Sequence, residues 1–85
     1  MEKAYNITNI SFESDYMIIT IDNQTIKLKL KDISERLYNA SENERNDYKI
    51  SPSGYGIHWQ AIDEDLSING LLKSSEIKHN LQHRV

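Results

Sequence analysis

From Thr25 to Lys31 the chain alternates without a break: Ile26, Leu28 and Leu30 on one side, Lys27, Lys29 and Lys31 on the other. A period of two puts all the apolar groups on one face of an extended backbone and would scatter them around a helix, so this stretch is a half-buried strand. A strand needs neighbours, and the preceding residues supply them. Tyr16 to Ile21 reads as a second strand, whose run Met17-Ile18-Ile19 is apolar on both faces. Asp22-Asn23-Gln24 closes the hairpin between the two, because Asn accepts the positive φ that tight hairpin turns require. Residues 5–12 form a first strand, with Tyr5 and Ile7 in one phase and Ile10 and Phe12 in the other. That phase change near Thr8-Asn9 predicts a bulge or a change of face. The polar turn Glu13-Ser14-Asp15 then completes a three-stranded antiparallel meander.

Beyond the meander the signals turn helical. Asp32-Ile33-Ser34-Glu35 fits an N-cap with Glu three residues on, followed by Leu37 on the apolar side. Ser41-Glu42-Asn43-Glu44 is a second capping box, predicting a short helix that ends near Tyr48. Lys49-Ile50-Ser51 is a brief extended piece, and Pro52-Ser53-Gly54 turns the chain. Gly54 and Gly56 bracket Tyr55, so the backbone there can take left-handed angles or approach another segment closely. A later strand comes next, with Ile57 and Trp59 on one side and His58 and Gln60 on the other. Asp63-Glu64-Asp65 precedes Leu66, Ile68, Leu71 and Leu72, and this order predicts an acidic helix start capped by Asp65 or Ser67. The fold class is therefore α+β: a three-stranded antiparallel meander plus a later strand, packed with two or three short helices.

Eighty-five residues make one domain with a thin core. Residues 1–73 form the α+β domain. Residues 74–85 are a C-terminal tail of mildly basic character, with Ile77, Leu81 and Val85 recurring every four residues and Ser74 or Ser75 placed to cap a helix carrying them. Such a stripe is marginal in water and becomes ordered by docking on its own domain, a second copy or a partner. The absence of cysteine excludes disulfides and thiolate metal sites. No segment has the length and apolarity of a membrane span or the layout of a secretion signal, so a cytoplasmic location is expected. Ten basic against thirteen acidic residues give a net charge of −3, which argues against broad nonspecific binding to nucleic acid.

Few residues carry chemistry. His58 with Asp63, Glu64 and Asp65 has the donor types of a metal site, but a lone His beside acids is far more often an outward-facing imidazole next to a capped helix. Ser53 with His58 as base lacks the sharp turn that exposes a serine nucleophile. Gly54-x-Gly56 lacks a third glycine and leads into a strand, so it is no phosphate loop. No catalytic residue, metal or cofactor is expected. Tyr55 and Trp59 belong to residue types that anchor interfaces, although the single Trp of a small domain more often belongs to its core. Together with His58 and the tail residues Ile77, Leu81 and Val85 they form the candidate partner-binding set. Lys27, Lys29 and Lys31 are the candidate nucleic-acid face, or simply the solvated side of a strand.

Three blocks in order, Ala40-Ser41-x-x-Glu44-Arg45, then Gly54-x-Gly56-Ile57-His58-Trp59, then Asp63-Glu64-Asp65-Leu66-Ser67 with Leu71-Leu72, resemble the bacterial domain of unknown function family 2442. The hairpin Tyr16–Leu30 and the piece Glu35-Arg36-Leu37 match in spacing, so the resemblance spans residues 5–72. Asn23 stands in place of a usual turn glycine, and Gln60 in place of a proline after the tryptophan. The resemblance implies a compact α+β domain with no enzymatic activity. It also implies a small protein partner of family 4160, encoded by an adjacent gene in a toxin–antitoxin layout with this chain as the antitoxin-like inhibitor. A protein-binding module is therefore the expected function, with a homo-oligomer possible. The alternative is a nucleic-acid-binding regulator acting through the Lys27/Lys29/Lys31 face and the basic tail.

Overall fold

In the computed structural model the backbone is described over residues 5–83 and the side chains over residues 5–75. The meander forms as its alternation dictates: β1 (Ile7–Glu13), β2 (Tyr16–Ile21) and β3 (Gln24–Lys29) lie in that order, antiparallel. The register of β1 against β2 shifts between Ile7 and Asn9, which is the bulge expected at the phase change. Asp22 and Asn23 both take positive φ, 49° and 70°, as a two-residue hairpin turn matched to the strand twist demands. Met17, Ile19, Ile21, Ile26 and Leu28 are buried on the inner face. Ile18 is only half-buried, because its face looks outward beside Ser11 and Lys27.

The chain leaves the sheet after Lys29, two residues earlier than the alternation suggests. Leu30 is fully buried but already begins a single helical turn, α1 (Leu30–Ile33). Ser34, rather than Asp32, caps the second helical turn. Its backbone is extended, and its Oγ accepts from the Leu37 N–H at 3.1 Å to start α2 (Glu35–Tyr38). The capping box at Ser41 forms in full: Glu44 N–H donates to Ser41 Oγ at 3.2 Å and Ser41 N–H to Glu44 Oε1 at 2.9 Å. It starts α3 (Glu42–Arg45), which stops at Asn46 rather than near Tyr48. Tyr48 is thereby released into a strand, β4 (Tyr48–Ile50).

A 3-10 turn over Pro52–Gly54 leads to β5 (Gly56–Trp59). Gly54 has φ of 69°, and a Cβ there would stand 2.1 Å from the carbonyl oxygen of Tyr5, whose N–H donates to Ser53 O. The acid run does not begin a helix. Gln60 to Asp63 form a hairpin loop, with Asp63 at φ 53° and its N–H bonded to Gln60 O, and Glu64 to Ser67 return as β6. The second sheet thus has three strands in the order β4-β5-β6, where the sequence suggested one. Helix α4 (Ile68–His83) then runs without interruption through Ser74 and Ser75. Of the two expected caps, Ser67 is the one in place, accepting from Gly70 N–H at 2.9 Å.

Both sheets and α4 share one apolar cluster: the first-sheet residues and Leu30, with Leu37, Ile57, Trp59, Ile68 and Leu71. Trp59 is completely buried, and its indole N–H donates to the Arg45 carbonyl at 2.9 Å. The Arg45 guanidinium in turn donates to Leu37 O, Tyr38 O and Ser14 O at 2.9–3.0 Å. Ser34 Oγ also donates to Glu64, and Arg36 to the Asp63 carbonyl, so α2 is tied to the β5–β6 hairpin. Among the described residues no buried side-chain nitrogen or oxygen lacks a partner, and no helix is long and apolar enough to cross a membrane.

Arg45→Met removes three charge-assisted bonds to backbone carbonyls and is expected to cost about 2–3 kcal/mol, or roughly 10 °C or more in Tm, in thermal melts. Gly54→Ala is expected to lose at least about 1 kcal/mol in urea titration, because a side chain at that φ meets the Tyr5 backbone.

Candidate functional site

Alternation divides the second sheet into two faces. Tyr48, Ile50, Ile57, Trp59 and Leu66 share the inner parity, and Lys49, His58 and Asp65 form a row across the outer one. Gly56 shares the outer parity and has no side chain, so it leaves a hollow beside His58. An open groove of about 540 Å³ lies there, bordered by Ile50, Pro52, Tyr55, His58 and Ser67 and lined chiefly by apolar atoms. A Cβ on Gly56 would sit 3.0 Å from Leu66 O, so glycine serves both the strand pairing and the hollow.

Two large apolar residues are exposed among the described residues, Ile50 at 39% and Tyr55 at 41%, and both border this groove. His58 Nδ1 lies 2.7 Å from Asp65 Oδ1 across the β5–β6 ladder, with 42% and 77% of the two side chains exposed. Ser51 Oγ accepts from Gly56 N–H, and Ser67 Oγ from Gly70 N–H. No hydrogen bond joins the imidazole to either hydroxyl among the described residues, so the base–nucleophile contact of a serine hydrolase is not formed there. Ser53 lies in the 3-10 turn with φ of 68° and does not line the groove. No group of three or more His, Asp or Glu that could hold a metal ion exists among the described residues.

The candidate partner-binding residues therefore separate. Tyr55 and His58 meet at the groove. Trp59 does not: it is wholly inside, its ring 6.2 Å from that of Tyr48, so it holds β5 in place and offers no surface to a partner. The side chains of Ile77 and Leu81, and all of Val85, lie outside the described residues. Lys49, Ile50, Gly56 and Asp65 join the groove although residue type alone did not mark them as partner-binding. The signal that would have found them is the cross-strand register, legible only once Glu64–Ser67 is read as a strand.

The lysine face is partly neutralised. Lys27 Nζ is 3.6 Å from Glu13 and 4.8 Å from the Tyr16 ring centre. Lys31 belongs to α1 and sits 5.7 Å from the Tyr38 ring centre, leaving Lys29 beside Lys27 on the sheet.

Because the His58–Asp65 pair is exposed, it contributes little to folding. Asp65→Asn is accordingly expected to leave Tm within about 3 °C of the parent in calorimetry.

A similar architecture occurs in a protein whose structure has been solved. A crystal structure of a protein of unknown function from Rhodospirillum rubrum is similar, with a TM-score of 0.66 and 26% identity over 82% of this chain and 87% of that one. No match was found among curated proteins. Residues 7–76 match the family described as protein of unknown function (DUF2442), and the chain belongs to that family.

Proposed function

We propose that the protein is a non-enzymatic binding module that engages a protein partner through the groove on the outer face of its second sheet. One observation carries the reading: the hollow on the outer face is lined chiefly by apolar atoms, and the large apolar residues exposed among the described residues, Ile50 and Tyr55, both border it. Apolar surface gathered around a hollow and rimmed by polar groups is what a protein interface leaves on a free subunit. The polar groups there are an exposed imidazole–carboxylate pair and two serines bonded to backbone, an arrangement suited to fixing orientation.

The choice of partner, a small toxin-like protein from an adjacent gene that this chain neutralises, rests on the resemblance of the sequence to its family. A cytoplasmic setting fits such a pair. The nucleic-acid alternative draws less support, since Lys27 already faces Glu13 and Lys31 lies on a helical turn off the sheet.

Co-expression with the adjacent gene product is expected to yield a complex that co-elutes at about micromolar concentration. Ile50→Asp and Tyr55→Ala should each weaken it by about tenfold or more while leaving the fold intact by circular dichroism. Separate elution of the two wild-type proteins, or affinity unchanged by both substitutions, contradicts the proposal.

A further inference from the structure

Each sheet edge presents backbone groups that another chain can pair with, and most of the edges here are protected. β1 is bulged at Thr8–Asn9, and β3 carries Lys27 and Lys29 and packs against α4. On β6 the outward amide of Asp65 is taken by its neighbour, Glu64 Oε1, at 3.1 Å. β4 carries a single lysine, Lys49, and among the described residues neither a bulge nor a bond from a neighbouring side chain covers its outward groups. The bond from Ser51 N–H to Gly56 O, 2.9 Å, sets hydrogen-bonded pairs at Ser51/Gly56 and, two residues back, at Lys49/His58. The N–H and C=O groups of Tyr48 and Ile50 consequently point away from β5, and among the described residues they have no hydrogen-bond partner.

We infer that this β4 edge takes up an extended segment of a partner protein by strand addition, with an acidic side chain of that segment opposite Lys49. The inference rests on the reading of the adjoining groove as a protein-binding surface, and it names how that surface is used. Lys49 has no ion pair among the described residues and lies at the edge of the outer face, in line with His58 and Asp65. Across a newly added strand its neighbour occupies a non-hydrogen-bonded pair, the closer kind, where opposite charges attract and like charges repel. This selects the occupant. A second copy of the chain, in the two-fold register that pairs all three β4 residues, would set Lys49 against Lys49. An acidic segment instead sets an opposite charge against Lys49. Its side chains on the same face would lie beside Lys49 and over the groove, and those on the other face beside the half-exposed Ile50.

The test is selection of a displayed library of random linear peptides on the full chain, followed by synthesis of the enriched sequences. Enriched peptides are expected to carry Asp or Glu between apolar residues at alternate positions, and to shift the amide resonances of Tyr48, Lys49 and Ile50. N-methylation of the peptide amides that face the edge is expected to reduce affinity by about tenfold or more, because each lost bond leaves an unpaired polar group. Ile50→Pro removes the outward donor and should do the same, whereas Ile50→Val should not. Lys49→Glu should weaken an acidic peptide and be restored by exchanging its acid for lysine. Peptides that bind at Tyr55 and His58 but ignore N-methylation and the charge exchange overturn strand addition while leaving the groove as a protein site. Resonance shifts confined to residues away from the groove overturn both.

Discussion

The buried indole of Trp59 is the contact on which the rest of the molecule depends. Its N–H would be an orphan in an apolar cluster without a partner, and the partner is the carbonyl of Arg45. That carbonyl ends a four-residue helix too short to hold itself in place. It is positioned because the Arg45 guanidinium spans α2 and the β1–β2 turn, with bonds to three backbone oxygens. The planar fork of arginine suits this task, since its donors diverge in fixed directions. One residue thus fixes a surface helix to the first sheet with its side chain and receives the core of the second sheet with its main chain. With Trp59 fixed inward, alternation turns His58 outward, and the groove takes its place beside Gly56.

How much of this was legible in the sequence depended on whether a signal was local. The meander, its bulge, the Asp22-Asn23 turn and the Ser41 capping box all arise from spacing and turn chemistry within a few residues, and they formed as the pattern predicts. Gly54 did too, because a left-handed backbone beside Tyr5 is a demand that glycine meets. The acid run misled for a physical reason. Asp63 to Asp65 ahead of apolar residues suits a helix dipole, but Asp63 is just as able to take the left-handed turn position that closes a hairpin. The tertiary pairing of Trp59 with Glu64, and of Glu64 with Ser34, decided between the two. Ser34 displaced Asp32 as cap by the same route, since its hydroxyl serves both Leu37 and Glu64.

The site was legible only in part. Tyr55 and His58 were recognisable from residue type, yet their neighbours Lys49, Ile50 and Asp65 come from strands whose register no local pattern announces. Burial separated Trp59 from that group, since a residue wholly inside cannot also be an anchor on the surface. The outcome is a division of labour along β5. Ile57 and Trp59 hold the strand to a core common to both sheets, and Gly56 and His58 shape the surface on its other side. A strand held on one face by the core would offer the proposed docking surface at little entropic cost, which suits a protein with a small core.

Whether the two sheets form one cooperative unit is read most directly by native-state hydrogen exchange, following the Trp59 indole N–H and the amides of Ile57 and Leu66 beside those of Ile19 and Leu28. If the Arg45–Trp59 contact unites them, all five exchange with the free energy of global unfolding. Exchange of the second-sheet protons through a much smaller opening, with the first sheet still protected, would contradict it.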